Sequence, residues 1–437
     1  MKCLIIASGR GTRFVSKAEL KPLAFLMGIP LIVRVILLAR KAGLDDFYVV
    51  TGYNGKRLRD YLRSFSKKRN IKITCLHNDE WEKDNGISVL KAADTINDNF
   101  ILLMSDHIFN EEIIRELKNE KIDNSEVILA VDKNVKGNYF VDEKDVTKVF
   151  IKNNRILDIG KDLKEYNAYD TGIFLCSPAI FSAIEESARR GDTSLSGGIR
   201  VLAKRNNIKS HDVDGKYWID VDDETKLKQA EKHLMKGLIQ KPADGFISRN
   251  INRPLSTRIT KLLIRTKIKP NYVSIFCFGL SVIGALFFFL GGYINLLTGA
   301  ILAQLSSIID GCDGEIARLK FLETEFGGWF DAVLDRYADA FLLFGLTYHT
   351  FQITGSLSII FIGFLALIGS LINSYTADKY DRLMKSKVHR HFRIGRDLRI
   401  FIIFLGGVLN LPILALLAIA IIMNIENMRR VVVLARA

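Results

Sequence analysis

Cysteine and proline are both scarce in this chain of 437 residues, with five cysteines and seven prolines. The cysteines have neither the spacing of a disulfide framework nor that of a metal site. This argues against a disulfide-stabilised secreted domain and is typical of a reducing compartment. No signal peptide is expected, because residues 1–7 have the pattern of a β-strand.

Long apolar runs are absent from the first half of the chain and frequent in the second. Hydrophobic residues make up 49% of the whole, and the length favours two domains. A bilayer span takes about 20 apolar residues. By this rule the second half holds about six candidate spans, several of which need adjacent polar residues to reach that length. They are residues 272–293, 296–309, 330–348, 356–375, 400–409 and 413–425.

Lysine and arginine are absent from the turns at residues 291–298, 349–356 and 406–412. The loops at the other ends of the spans are basic. By the positive-inside rule the soluble domain, the acidic segment described below and the C-terminus face the cytoplasm. The net charge of +14 then indicates a basic face near anionic lipid or phosphorylated substrates, and not a nucleic-acid partner.

In the first half, apolar β-rich runs alternate with amphipathic segments. This alternation predicts a Rossmann-like, mostly parallel α/β sheet with helices on both faces. Residues 223–240 are expected to form a charged closing helix. The predicted strands are residues 2–8, 47–52, 71–77, 100–105, 127–131 and 170–176, and the predicted helices include residues 31–42, 56–66, 88–95 and 111–117.

Pro242, Gly245 and Pro254 interrupt the chain between its halves, which places the domain junction near Lys241. Residues 247–266 then alternate basic and aliphatic side chains, a pattern typical of an amphipathic helix in the membrane interface. An ordinary surface helix is the alternative. The predicted organisation is a soluble domain at 1–240, a linker and juxtamembrane helix at 241–269, and an all-α membrane domain at 270–437.

Four aspartates lie against this apolar background: Asp310, Asp313, Asp331 and Asp335. Carboxylates in or near a bilayer are costly unless they pair or bind cations. On a helix Asp310 and Asp313 share one face, as do Asp331 and Asp335 on the next. Two facing helices would gather four carboxylates around one or two divalent cations. The alternative is that the acids cap helix ends in a solvated loop.

The segment from Asp310 to Asp335 has the pattern D-x2-D-G-x2-A-R-x8-G-x3-D-x3-D. It resembles the signature of the CDP-alcohol phosphotransferase family at every fixed position. The resemblance implies transfer of a phosphoryl group from a CDP-alcohol to a hydroxyl, with Asp310, Asp313 and Asp331 as metal ligands. Mg²⁺ suits these hard oxygen ligands, and Mn²⁺ is the alternative ion. Asp335 matches the family's general base and also stands where it can contact a metal.

The same resemblance implies a CDP-binding role for Gly314, Ala317 and Arg318. Arg318 would face phosphate, unless it only anchors a span end at the interface. A second basic cluster opens a later cytoplasmic span and comprises Arg393, Arg396 and Arg399. It would bind a phosphate on the acceptor alcohol, or else anchor the helix to lipid headgroups.

The first predicted strand runs into a glycine-rich turn formed by Ser8, Gly9, Arg10, Gly11, Thr12 and Arg13. Backbone N–H groups of such a turn cradle a triphosphate, and Arg13 and Lys21 add positive charge. This start resembles that of the sugar-phosphate nucleotidyltransferases. The resemblance implies that the turn binds the nucleotide and that Lys21 stabilises the transition state as pyrophosphate leaves.

Two acidic positions extend this second resemblance. Asp106 ends an apolar strand, at the sheet edge where open α/β folds bind ligands. The resemblance implies that it binds Mg²⁺, with Asp220 or Asp222 as the partner ligand, while Asn85 and Gly86 contact the base or ribose. A helix cap or a surface turn is the alternative for each acid.

A nucleotidyltransferase joined to a CDP-alcohol phosphotransferase suggests consecutive steps. The arrangement resembles a family of bifunctional enzymes that make CDP-inositol from CTP and inositol-1-phosphate and pass phosphoinositol to a second inositol-1-phosphate. A membrane homodimer is expected from the resemblance. Three alternatives remain: a CDP-diacylglycerol-dependent phospholipid synthase, a first domain that is inactive and serves as a scaffold, and a second domain that is a transporter or an anchor.

Overall fold

The structure is a computed structural model that describes residues 1–11, 20–135, 137, 141–239, 245–384 and 394–436. The chain divides into two compact units, Met1–Lys232 and His233–Ala437. The predicted junction at Lys241 lies outside the described residues. Each unit is described by itself below.

The first unit is an α/β domain. Its strands are β1 (Lys2–Ala7), β2 (Phe25–Leu26), β3 (Ile29–Pro30), β4 (Asp46–Thr51), β5 (Lys72–His77), β6 (Phe100–Met104), β7 (His107–Phe109), β8 (Val127–Asp132), β9 (Lys148–Lys152), β10 (Arg155–Gly160), β11 (Ala168–Cys176), β12 (Ile208–Asp212) and β13 (Trp218–Asp220). Its helices are α1 (Leu31–Lys41), α2 (Gly55–Arg69), α3 (Asn85–Leu90), α4 (Glu111–Asn119), α5 (Ala179–Arg189) and α6 (Leu195–Lys204), and α7 (Glu224–Ile239) crosses the boundary to the second unit.

A nine-stranded sheet has the order β5-β4-β1-β6-β11-β8-β12-β10-β9. Strands β5, β4, β1 and β6 are parallel, whereas β11 runs antiparallel to both β6 and β8. The central strands are almost continuously apolar and buried, as expected for strands covered on both faces. The predicted α/β class is confirmed.

Each of the six predicted strands is present, with ends that differ by at most two residues. Strands β9, β10 and β12 were not predicted. They lie towards one edge of the sheet and are half-exposed, so their short alternating patterns carry less apolar signal than the central strands.

The second unit is helical. After a π-helical turn at Ser248–Asn252 come α8 (Arg253–Leu263), α9 (Pro270–Phe289), α10 (Tyr293–Leu319), α11 (Glu325–Thr354), α12 (Leu357–Met384), α13 (Arg396–Val408) and α14 (Pro412–Ala435). Helix α8 occupies the predicted juxtamembrane segment. The side chains it buries are polar, namely Ser256, Thr257 and Thr260.

Four helical stretches in the described part of this unit are long and apolar enough to cross a bilayer: Pro270–Phe289, Tyr293–Leu319, Leu357–Ala377 and Pro412–Ala435. The predicted count of about six is therefore not confirmed. The other two predicted spans fall in α11, which carries four acids along its 30 residues, and in α13, which has 13 residues. The predicted all-α membrane domain is confirmed as a helical domain.

Small residues set the distance between α9 and α10. A Cβ atom on Gly299 would lie 2.5 Å from the carbonyl oxygen of Gly284, closer than atoms approach. Backbones that pack this closely are typical of membrane helices. The contact fixes the position of α10, which carries the first two aspartates of the acidic segment.

Candidate active sites

The first unit contains a cavity of about 350 Å³. It lies at the carboxyl ends of β1 and β6, which pair in parallel and so deliver the segments that follow them to one edge of the sheet. The ribbon formed by β7 and β13 contributes a second wall. Eight of the predicted residues line the cavity: Ser8, Gly9, Gly11, Lys21, Asn85, Asp106, Asp220 and Asp222.

Lys21 lies among the acidic side chains of this cavity. Its ammonium nitrogen is 2.5 Å from Oδ2 of Asp106 and 2.6 Å from Oδ1 of Asp222. Oδ1 of Asp220 is farther away, at 3.9 Å. Lys21 therefore pairs with Asp106 and Asp222, and Asp220 stands beside this pair.

The pKa shifts of the three acids differ in direction. Burial would lower the pKa of Lys21, but the carboxylates of Asp106, Asp220 and Asp222 raise it above its ordinary value. Burial also works against ionised Asp106 and Asp222, yet Lys21 lowers the pKa of both. Burial raises the pKa of Asp220, and Lys21, which is 3.9 Å away, stabilises its ionised form only weakly. The cavity thus favours added positive charge near Asp220.

His107 is a member of this site that the sequence did not predict. Together with Asp106 and Asp220 it offers ligand atoms that all lie within 4.8 Å of one another. Its Nδ1 lies 2.9 Å from the carbonyl oxygen of Thr171 and its Nε2 lies 3.4 Å from Oδ2 of Asp220. Burial would lower the pKa of His107, but Asp220 raises it to about 10. The sequence offered one signal for His107 as a site residue, namely its position directly after Asp106.

The glycine-rich turn places Gly11 against Lys21. Gly11 has a φ of +66°, and a Cβ atom there would lie 2.7 Å from Cβ of Lys21. Ser8, at the start of the turn, bonds through its hydroxyl to Ser88 at 2.6 Å. The predicted nucleotide-binding residues Thr12 and Arg13 lie outside the described residues.

Asn85 and Gly86 open helix α3 at the edge of the cavity. The side-chain oxygen of Asn85 accepts a bond from the backbone N–H of Leu195 at 2.9 Å. A Cβ atom on Gly86 would lie 2.5 Å from the carbonyl oxygen of Thr193. Both residues therefore hold the segment before α6 against α3.

In the second unit, α10 and α11 bring three of the four predicted aspartates together. Ligand atoms of Asp310, Asp331 and Asp335 all lie within 4.8 Å of one another. Asp313 stands beside this group, where its Oδ2 accepts a bond from Ser274 of α9 at 2.7 Å. The expected pooling of carboxylates from two helices is present for these three acids.

The residues of the predicted CDP-binding segment follow along α10. A Cβ atom on Gly314 would lie 2.9 Å from Nη1 of Arg318, so the glycine makes room for the guanidinium. Nε and Nη2 of Arg318 are buried, and neither forms a hydrogen bond with a described residue. Ala317 lies between Gly314 and Arg318 in the sequence and is half-buried. Arg318 thus has donors available for an anion.

Arg396 pairs with the acidic cluster. Its Nη1 lies 2.7 Å from Oδ1 of Asp335 and 3.2 Å from Oδ2 of Asp310. Its Nε lies 3.0 Å from Oδ1 of Asp339, a buried acid one turn beyond Asp335 that the sequence analysis missed. The signal was present, because Asp331, Asp335 and Asp339 repeat at intervals of four.

Arg399 shares the carboxylate of Asp339 with Arg396. Its side chain is 1% exposed and lies 2.5 Å from Oδ2 of Asp339. It also donates to the carbonyl oxygen of Ser370 and to the hydroxyl of Ser374. These bonds tie α13 to α11 and α12. Arg393 lies outside the described residues.

Both clusters fit a divalent cation. Oδ1 of Asp331 and Oδ1 of Asp220 are buried, and neither accepts a hydrogen bond from a described residue. A buried carboxylate oxygen without a donor is costly. Clustered carboxylates are the oxygen ligands that Mg²⁺ and Mn²⁺ prefer.

The two units correspond to two protein families. Residues 3–198 match the model of the MobA-like NTP transferase domain, and residues 267–435 match that of the CDP-alcohol phosphatidyltransferases. Both families are generally metal-dependent. The fold and the two carboxylate clusters therefore define a transferase in which a nucleotidyltransferase domain is joined to a CDP-alcohol phosphotransferase domain.

Known proteins resemble either the whole chain or one of its two units. The "Bifunctional IPC transferase and DIPP synthase" of Aquifex aeolicus is 34% identical over 97% of this chain and 95% of its own length. The "Archaetidylinositol phosphate synthase" of Pyrococcus horikoshii is 32% identical over 41% of this chain and 90% of its own length. The solved inositol-1-phosphate CTP transferase from T. maritima is 24% identical, with a TM-score of 0.47 over 53% of this chain and 93% of its own.

The chain belongs to the family of the bifunctional IPC transferase and DIPP synthases. The resemblance drawn from its two motifs is thereby confirmed.

Proposed function

We propose that this chain makes CDP-inositol from CTP and inositol-1-phosphate in its first unit. The second unit then transfers phosphoinositol from CDP-inositol to another inositol-1-phosphate and releases CMP. The observation that carries the proposal is the cluster of Asp310, Asp331 and Asp335, within a segment that matches a CDP-alcohol phosphotransferase signature. The names of whole-chain relatives support both activities.

In the first unit, a phosphate oxygen of inositol-1-phosphate attacks the α-phosphorus of CTP, and the bond to the pyrophosphate group breaks. The turn at Gly9 and Gly11 cradles the triphosphate, and Lys21 stabilises the charge on the leaving pyrophosphate. Asp106 and Asp220 hold Mg²⁺, which neutralises the triphosphate when bound. The proximity of ligand atoms of Asp106 and Asp220 supports this pair, and Asp222, 2.6 Å from the ammonium of Lys21, holds that ammonium in place.

The remaining first-unit residues have supporting roles. His107 orients Asp220, as their contact of 3.4 Å suggests. Asn85 and Gly86 shape the edge of the cavity near the base or ribose. Thr12 and Arg13 complete the nucleotide-binding turn, a role that rests on the sequence alone.

In the second unit, Asp335 accepts the proton of the acceptor hydroxyl as that oxygen attacks the phosphorus that carries inositol. The bond to CMP breaks, and CMP leaves. Asp310, Asp313, Asp331 and Asp335 hold Mg²⁺, which stabilises the charge on the transferred phosphoryl group when bound. The positions expected to bind CDP are Gly314, Ala317 and Arg318, and the unpartnered nitrogens of Arg318 support its role.

We also propose that both sites face the cytoplasm and that the protein is a homodimer in the membrane. The distribution of lysine and arginine among the loops supports the orientation.

Arg396, which contacts two of the acids, is the described member of the predicted acceptor-binding cluster that lies near the reacting atoms.

The decisive experiment supplies the purified chain with CTP, Mg²⁺ and a panel of polyol phosphates, and identifies the products by mass. CDP-inositol, CMP and a phosphorylated di-inositol are expected with inositol-1-phosphate, and both reactions should stop when chelator removes divalent cations. Turnover that persists without divalent cations would contradict the proposal.

A lipid product is the second candidate, because the archaetidylinositol phosphate synthase is similar to 41% of the length of this chain. CMP release with CDP-inositol as donor should be compared with release from CDP-diacylglycerol. Release only from the lipid donor would favour this alternative.

A further inference from the structure

A second cavity, of about 300 Å³, lies beside the carboxylate cluster of the second unit. Asp310 and Asp335 line one side, and Arg396 lines it at the start of α13. Arg253, the first residue of α8, also lines it. The cavity therefore connects the acids to the juxtamembrane helix, for which the sequence predicts only a place at the membrane surface.

A buried carboxylate holds Arg253 in this position. Nη1 of Arg253 lies 3.0 Å from Oε1 of Glu315, a residue of α10 that is 0% exposed. Ser256 and Thr260 each donate a hydroxyl bond of 2.6 Å to the same carboxylate. A buried carboxylate is tolerated only with such partners. Since these three partners all lie on α8, Glu315 fixes both the helix and its arginine against α10.

Arg253 contacts a different side of α10 from Asp313. Asp313 accepts its bond from Ser274 on α9, whereas Gly311 and Glu315 contact Arg253 on α8. Successive residues of a helix are about 100° apart, which places Asp310 between these two sides.

We propose that Arg253 binds the phosphate of the acceptor, together with Arg396. The inference rests on the proposed function and adds a substrate-binding role for the juxtamembrane helix. In-line phosphoryl transfer requires the acceptor to approach opposite the leaving group. An acceptor phosphate held by Arg253 and Arg396 in this cavity would place its ring beside Asp335, the proposed general base.

The lining of the cavity suits a phosphate-bearing polyol. Two guanidinium groups supply charge-assisted donors in the forked geometry that matches phosphate oxygens. Ser248, Asn252 and Ser307 add polar groups. Asp397 also lines the cavity, and its Oδ2 accepts the backbone N–H of Ser248 at 2.9 Å, so this carboxylate has a donor of its own.

The test measures CMP release by the full-length protein with CDP-inositol as donor and inositol-1-phosphate as acceptor. Arg253→Gln should raise the KM for inositol-1-phosphate by about tenfold or more, the usual effect of losing a charged hydrogen bond. The KM for CDP-inositol should stay within about twofold of the wild type. Arg253→Lys should give an intermediate value, because a lysine keeps the charge but not the fork.

Arg258→Gln is the matched control, because Arg258 is exposed on the same helix and its loss removes the same charge. It should leave both KM values unchanged. The inference is overturned if Arg253→Gln raises both KM values together, lowers only kcat, or has no effect. The first two results would mean that Arg253 only anchors α8.

A binding measurement separates this inference from the proposed function. Wild-type protein that releases no CMP from CDP-inositol would contradict the proposed function. Titration of the full-length protein with inorganic phosphate would still decide the role of Arg253. Arg253→Gln should lose binding that Arg258→Gln keeps, and equal binding by the two variants would overturn the inference.

Discussion

A basic side chain lies at bonding distance from the acids in each of the two clusters. Lys21 pairs with Asp106 in the first unit, and Arg396 pairs with Asp335 in the second. Each of these pairs lies within one of the two compact units. Substitution of one acid is therefore expected to affect one reaction.

Asp335→Asn should abolish the transfer step and leave CDP-inositol synthesis intact. An amide keeps the size of the side chain but accepts no proton, and loss of a general base slows a reaction by about 10²–10⁴-fold. CMP release from CDP-inositol measures the transfer, and pyrophosphate release from CTP measures the synthesis. Glu325→Gln, an exposed change at the start of the same helix, should alter neither rate.

Equal loss of both activities in Asp335→Asn would contradict separate sites. Equal loss in Glu325→Gln would instead mean that α11 is sensitive to any change of charge.

Asp106→Ala should give the reverse result. Pyrophosphate release from CTP should fall by about two orders of magnitude or more, because a metal ligand and the partner of Lys21 are both removed. CMP release from supplied CDP-inositol should be unchanged. The control is Asp98→Asn, since the side chain of Asp98 is 83% exposed. Retention of synthesis in Asp106→Ala would remove Asp106 from the site.

The sequence predicted the residues that have a fixed place in a motif, and missed those that act through a neighbour. Asp310, Asp331 and Asp335 were predicted, because their spacing alone brings them to facing helix surfaces. Asp339 was missed although it continues the four-residue repeat of Asp331 and Asp335. Glu315 was missed, since nothing in the pattern shows that it would be buried against an arginine from another helix. Which of Asp220 and Asp222 stands with Asp106 and His107 depends on the direction of each side chain after β13, which spacing leaves open.

At the scale of helices, the contact between α9 and α10 has no room for a side chain. Gly299→Val should lower the thermal stability of the second unit, since its Cβ would lie 2.5 Å from a carbonyl oxygen. Overpacking of this kind costs about 1–3 kcal/mol of unfolding free energy. Thermal unfolding in detergent measures the change.

Gly279→Val on α9 is the control, because no atom lies within 4 Å of a Cβ atom at that position. Its unfolding temperature should match that of the wild type. A similar fall in both variants would mean that valine itself, and not the helix contact, is responsible.

Element prediction was accurate where one physical signal dominated. The central strands are apolar on both faces, so composition alone marks them. The membrane spans were less certain, because α11 and α13 combine polar site residues with apolar packing faces. The acids of α11 lower the hydropathy on which a span prediction depends, and α13 is too short at 13 residues. Within the described residues, four of the expected spans therefore meet that test.

For the whole molecule, each cluster is complete within one compact unit. CDP-inositol made in the first unit is therefore expected to reach the second unit of any chain through solution. A mixture of the Asp106→Ala and Asp335→Asn proteins should convert CTP and inositol-1-phosphate to CMP and the di-inositol product. Neither variant alone should do so. Product formation is followed by mass, with each variant's remaining half-reaction as its control for folding. If both half-reactions persist but the mixture forms no product, the intermediate must pass between sites without release, and the two units act as one enzyme.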